Sequence, residues 1–512
     1  MISASSISVF LPVLLPLLGG IILLLSRFVG TKIQQKISMA LLIILVATTI
    51  NSLQSAIQNG VQVYELGNWV APFGIVLVLD GLSAMMLLAT SLLAIAALWY
   101  AISSKIDIKG AGFHALFQFQ LFGLNGAFLT GDLFNLFVFF EILLIASYGL
   151  LVHGGGKERT RAGLQFVVIN LIGSAIFLFA VGGLYGMLGT LNIADLSVKA
   201  AEISSVDRGL VMAAGFLLLV VFGVKSAMFP LYLWLPKAYS EASAPVAALF
   251  AIMTKVGIYS IIRVHGTIFG DSFGEYGFFY MPILLVLGMV TLVMGALGVA
   301  ASKRLGEQVS YLVLVSVSIL LIGLGINTEE SLSATLYYML HSIIMPGAFF
   351  LLVHMISIGR GEQKDIFVQG VSMQGKILLG STFMVCAVAL TGMPPFSGFI
   401  GKFLILSSAL GSDLFWWVLS VVLITGLIII ISLARSGSLI FYNVKDIESS
   451  SPVTMNIKAY LSIVFLLSLI IALVIFAGNV VEFTDMVSSQ IYNSSGYIDA
   501  VLGTDTLKGV RQ

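Results

Sequence analysis

Fourteen apolar stretches, each close to the ~20 residues that a helix needs to cross a ~30 Å hydrocarbon layer, leave this chain essentially one way to fold. They lie near residues 8–25, 37–54, 76–101, 112–129, 133–152, 163–188, 209–236, 245–266, 281–301, 309–326, 332–357, 376–410, 414–434 and 459–477. Inside lipid no water meets the backbone N–H and C=O groups, so each stretch must satisfy its own as a helix. The expected fold is an all-α polytopic membrane protein. A mean hydropathy of +1.08 with 10% charged residues excludes a string of soluble domains. Net charge is +1 and no basic run is long enough to make a tail, which argues against a nucleic-acid partner. The single cysteine, Cys386, rules out an intrachain disulfide, and nothing suggests a metal centre or another cofactor. No positive charge precedes the first stretch and no small-residue cleavage site follows it, so 8–25 reads as a span rather than a signal peptide.

The positive-inside rule tests the helix count, because an error of one would scramble every later loop. With the N-terminus outside, inward loops receive Arg27, Lys32 and Lys36, then Lys105 and Lys109, then Lys157, Arg159 and Arg161. They go on to receive Lys237, Lys303 and Arg304, then Arg360, Lys364 and Lys376, and last Arg435, Lys445 and Lys458. Outward loops receive little beyond Lys199, Arg208, Lys508 and Arg511, together with acids such as Asp271, Glu275, Glu329 and Glu330. Both termini then face outward. The alternation from Gly60 to Ile75 predicts a short outer hairpin, and the polar segment from Asn479 reads as a loosely ordered outer tail.

Lys225, Lys255 and Lys402 fall in no loop. Lys225 follows the apolar run from Leu210 to Val224 and so enters at mid-bilayer, where an ammonium is costly and marks an ion path. Pro230, five residues later, removes a backbone donor and splits the helix beside the charge. The run Thr391-Gly392-Met393-Pro394-Pro395-Phe396-Ser397-Gly398, followed by Lys402, repeats that chemistry in the twelfth stretch. Two interrupted segments in corresponding positions point to inverted repeats, with spans four to eight pairing with nine to thirteen. Glu141 lies midway along the fifth span, at the depth of Lys225. Its protonation would follow the position of that partner, although a static buried pair that only fixes packing is the plain alternative. Lys255 is buried in the eighth span, with Tyr259 one turn further along the same face. His341, mid-way along the eleventh span, is a proton relay or a satisfied core histidine. His114, His265 and His354 lie near helix ends and are set aside, Asp80 reads as a cap, and Gln118, Gln120, Asn125, Asn170 and Ser174 line a hydrated route or pack. Taken together, these residues suggest a lateral proton path from Glu141 and Lys225 through Lys255 and His341 to Lys402.

The Phe139-Phe140-Glu141 stretch, the segment from Lys225 to Trp234-Leu235-Pro236, the Met393 to Gly398 run and Lys402 resemble the antiporter-like subunits shared by respiratory complex I and the Mrp multisubunit cation/proton antiporters. The similarity spans nearly the whole chain and is greatest to the D-type members of Mrp complexes. It implies fourteen helices in two inverted five-helix repeats, with broken spans seven and twelve. The expected domains are then 1–111, 112–266, 281–434 and 435–512. It also implies Glu141, Lys225, Lys255 and Lys402 as proton-path residues, other Mrp subunits as partners in a bacterial plasma membrane, and exchange of Na⁺ or Li⁺ for H⁺ rather than enzymatic catalysis. No carboxylate cluster in the sequence marks a sodium site. Competing expectations are a proton-pumping arm subunit of complex I or of a membrane-bound hydrogenase, a self-sufficient solute transporter, and a non-transporting scaffold.

Overall fold

A computed structural model describes residues 4–28, 30–371, 373–445 and 455–503, and among these are twelve helices long and apolar enough to cross a membrane. In chain order the first seven helices are α1 (Ala4–Leu25), α2 (Thr31–Asn59), α3 (Gly81–Ser103), α4 (Phe113–Leu129), α5 (Leu133–Val152), α6 (Lys157–Leu188) and the short α7 (Ile193–Ala201). Then follow α8 (Arg208–Ser226), α9 (Leu235–Glu241), α10 (Ala244–Ile268), α11 (Met281–Ala301), α12 (Leu305–Ile326) and α13 (Glu329–Gly359). The last six are α14 (Lys376–Thr391), α15 (Ser397–Ser408), α16 (Phe415–Tyr442), α17 (Ile457–Ile475), α18 (Ala477–Tyr492) and α19 (Ser495–Leu502). The fourteen expected spans therefore resolve as twelve long helices, the shorter α4, and one span divided into α14 and α15. The 209–236 stretch likewise divides into α8 and α9.

The expectation of a loose tail from Asn479 is corrected. The segment is α18 and α19, because its apolar and small residues fall on one side and dock on the bundle: Ser333 and Thr484 hydroxyls lie 2.9 Å apart, and Ser488 donates to the Glu329 carbonyl at 2.6 Å. Lys508 and Arg511 lie outside the described residues.

α10 is buried over its whole length and α12 over most of it, whereas only 28% of the best apolar window of α2, α16 or α17 is covered. The centre is thus formed by α10, rich in small residues and carrying Lys255, Arg263 and His265, and by α12, whereas the more apolar α16 and α17 turn most of their surface outward.

The loops sort to two ends. At one, β1 (Gln62–Glu65) and β2 (Val76–Leu79) pair antiparallel, with Gln62 opposite Leu79; the expected hairpin forms, but its second strand lies past Ile75 in the stretch expected to open the third span, whose helix begins only at Gly81. The same end holds Gly131, whose N–H donates to the Val76 carbonyl, and Ser197, which donates to Thr267. At the other end Arg159 donates to the Glu241 carbonyl, Arg304 pairs with Glu241 at 2.6 Å and Asp365 at 3.3 Å, and His153 meets the Ile106 carbonyl. The loops rich in Lys and Arg thus share one end, opposite the hairpin.

Candidate functional site

α8 stops because Ala227 turns left-handed, at φ +60°, which lets Met228 N–H donate back to the Gly223 carbonyl and Ala227 N–H to Val224. Pro230 cannot resume the helix. Backbone groups freed by the break find other partners: Thr291 accepts from Phe229 N–H at 3.0 Å and the Trp234 indole donates to the Val224 carbonyl at 3.2 Å. Lys225 occupies the last turn of α8, where the C-terminal end of the helix dipole favours a cation.

The second break has the same construction. Gly392 is left-handed at φ +77°, Met393 N–H donates to the Val388 carbonyl, and Gly392 N–H donates to Ala389. Lys402 comes from the far side of this break, on α15, yet its ammonium reaches back to the Thr391 carbonyl at 2.8 Å. One lysine therefore sits within the end of a half-helix and the other is drawn to the end of its counterpart.

Glu141 and Lys225 do not touch as an ion pair among the described residues. α6 stands between them. Ser174 donates to the Glu141 carboxylate and also lies 3.1 Å from the Asn170 carbonyl, while Asn170 Oδ1 accepts from Lys225 Nζ at 3.3 Å. Asn170 and Ser174, one helical turn apart on α6, thus stand as a neutral bridge between carboxylate and ammonium, Ser174 meeting the one and the Asn170 amide the other, with Ser174 reaching Asn170 through its backbone carbonyl. In the sequence these two read only as lining or packing; their spacing of one turn on a polar stripe is the signal that marks them. The Phe140 ring adds its face to Lys225, with Nζ 5.5 Å from the centroid. Lys225 is buried, while Glu141 is partly exposed on the lateral surface.

Lys255 is fully buried on α10 and donates to Ser316 Oγ of α12 at 3.0 Å. Gly257, two residues on, brings α10 against the end of α8: a Cβ there would lie 2.6 Å from Ser226 N and 3.0 Å from Lys225 C. His341 is buried on α13, its Nδ1 2.9 Å from Ser397 Oγ at the start of α15, and Gly398 closes the other side of the ring. Lys402 is partly exposed. The five expected residues therefore occupy five helices, with neutral hydroxyl, amide or carbonyl groups as the hydrogen-bond partners of each. Ser316 carries no signal in the sequence, since serines are common in these helices, and Ser397 is marked there only as part of the second break, not as the partner of His341.

Two expectations change. Asp80 does cap α3, but it also pairs with Arg263 of α10 at 2.6 Å, both being 5% exposed. Arg263 lies inside the eighth apolar stretch, where a charge out of place is itself a signal. The histidines set aside as terminal are also engaged: His265 binds the Gly215 carbonyl at 3.0 Å and His354 the Tyr100 hydroxyl at 2.8 Å.

Two broken spans, each with a lysine at the break, in a bundle of this architecture define an antiporter-like polytopic membrane protein. Residues 130–428 match the family described as NADH:quinone oxidoreductase/Mrp antiporter, transmembrane part, and the chain belongs to this family. It is 41% identical to the D subunit of a probable K⁺/H⁺ antiporter of Rhizobium meliloti, covering 86% of this chain and 87% of that one. It is 35% identical to the D subunit of the Na⁺/H⁺ antiporter of Bacillus subtilis, covering 96% and 99%. Among solved structures it is similar to a chain of the Mrp complex from Dietzia sp. DQ12-45-1b, with a TM-score of 0.84, 26% identity and coverage of 98% and 99%.

Proposed function

We propose that this chain is the proton-translocating D-type subunit of a multisubunit monovalent cation/proton antiporter, working beside other subunits in a bacterial plasma membrane. The observation that carries the reading is the relay Glu141, Ser174, Asn170, Lys225: a carboxylate and an ammonium held by a neutral bridge rather than locked together. A locked pair would be a structural element. A bridged one leaves each group free to change partner. Protons then pass from Glu141 and Lys225 by way of Lys255 and His341 to Lys402, each step following a side chain's exchange of one hydrogen-bond partner for another.

The matching caps at Ala227 and Gly392 support two inverted repeats over 112–266 and 281–434, as do the π-helical turns that close both α10 and α16. The Lys- and Arg-rich end is then cytoplasmic and the hairpin end external, which places both termini outside. Relatives named for sodium and for potassium leave the cation to experiment.

The test is proton flux in inverted vesicles containing the whole complex, driven by Na⁺ and separately by K⁺. Lys225→Ala and Glu141→Ala should abolish it while the complex still assembles. Full flux in an assembled Glu141→Ala complex would refute the reading.

A further inference from the structure

Along α10, Lys255, Tyr259 and Arg263 follow one another at i, i+4 and i+8 and so form one stripe, running from the middle of the bundle to the hairpin end. The Tyr259 hydroxyl donates to the Phe128 carbonyl and accepts from Arg263 Nε at 3.3 Å. The Arg263 guanidinium spans both Asp80 oxygens, at 2.7 and 2.6 Å, with the Tyr259 and Tyr497 rings 5.7 and 5.0 Å away. Asp80 cannot drift, because it also accepts from Ser83 N–H and Oγ at the start of α3. The turn that carries Arg263, Ile261–His265, is π-helical, the widened form that recurs at functional positions.

The opposite direction along the same stripe looks different. Only Ala251 and Ala247 separate Lys255 from the far end, and Ala247 lines a polar cavity of about 370 Å³ shared with Lys109, Glu241, Arg304 and Asp365. One direction along the helix thus leads past two buried alanines to a polar cavity, and the other ends in a buried ion pair.

We propose that the buried Asp80–Arg263 pair is a plug that seals the hairpin end of the Lys255 stripe against protons, so that Lys255 exchanges protons with the cavity end and with the lateral row. The pair carries no net charge, but arginine never gives up its proton, so this end of the stripe is filled by a side chain that cannot pass a proton on. Stability alone is a weak reason to bury such a pair, since apolar residues of similar volume serve about as well. These are gating residues, acting through Lys255; the inference rests on the conducting row proposed above.

The experiment measures passive, cation-independent proton leak across inverted vesicles holding the whole complex, under an imposed pH gradient. Asp80→Asn with Arg263→Gln removes both charges and leaves neither unpaired; Arg263→Gln alone leaves Asp80 with its Ser83 contacts. A several-fold rise in leak in either assembled variant is expected, and adding Lys255→Ala should abolish that rise. Leak at the unmodified level in both overturns the plug, as does failure of both to assemble, which would make the pair a folding element. If the leak rises but persists with Lys255→Ala, the pair closes a path that does not run through Lys255 and the plug is overturned; loss of cation-driven flux in Lys225→Ala, measured in parallel, tests the conducting row separately.

Discussion

Replacing Asn170 by leucine removes the bridge between Glu141 and Lys225 while keeping the side-chain volume. Asn170 is 1% exposed, so no solvent replaces it, and its Oδ1 is the acceptor 3.3 Å from Lys225 Nζ. A hydrogen bond to a charged group contributes about 1.5–3 kcal/mol. At ~1.4 kcal/mol per decade this is roughly a 10- to 100-fold fall in the population of the conformer in which Lys225 points toward α6. Cation-driven proton flux of the whole complex in inverted vesicles should drop by about that factor if the row conducts through this conformer. The amide of Asn170 also donates to the Phe166 carbonyl at 2.9 Å, a bond within α6 whose loss is a stability effect, so thermal denaturation in detergent is measured alongside. In a Lys225→Ala background, Asn170→Leu should cost nothing further, because the partner is gone. Unchanged flux in an assembled Asn170→Leu complex would show that the bridge is packing and that protons bypass it.

Two other consequences are open to measurement. Gly257→Ala places a methyl group against backbone atoms of α8 that cannot step aside, 2.6 Å from Ser226 N, and should cost about 1–3 kcal/mol of stability while displacing Lys255 from Lys225; an unshifted melting temperature with full flux would contradict the contact. Asp107 lies in the turn between α3 and α4. Burial pushes its carboxyl up, but hydrogen bonds from His114 and Gln35, at 3.2 and 2.6 Å, outweigh this and hold it below the usual carboxylate range. A depressed folded-state pKa stabilises above the unfolded value of ~3.9 and the gain is lost as pH falls through the folded one. Asp107→Asn should therefore melt lower at pH 7 and lose less than the unmodified protein on acidification below about pH 4, measured as detergent melting curves; parallel curves for the two would remove the assignment.

The spans were legible because the bilayer leaves no alternative to a helix, and a lysine following fifteen apolar residues announces itself. The breaks were legible for the same reason, since Pro230 and the Pro394-Pro395 pair permit nothing else. The row's connections were less so. Glu141 and Lys225 share a depth, and a direct pair was the natural expectation; a serine and an asparagine on a third helix intervene. Arg263 and Asp80 are 183 residues apart, and their meeting follows from how α10 packs beside α3.

By itself the sequence determined which segments cross the membrane, where two of them break, and which charges are stranded at depth, because these follow from local energetics of backbone and charge in lipid. Only the tertiary structure decided which neutral group each charge leans on and that Arg263 meets Asp80 at the hairpin end of the Lys255 stripe. Those depend on helix neighbours chosen by packing, and side chains such as Ser174, Ser316 and Ser397 become specific only once a particular charge is placed within hydrogen-bonding reach.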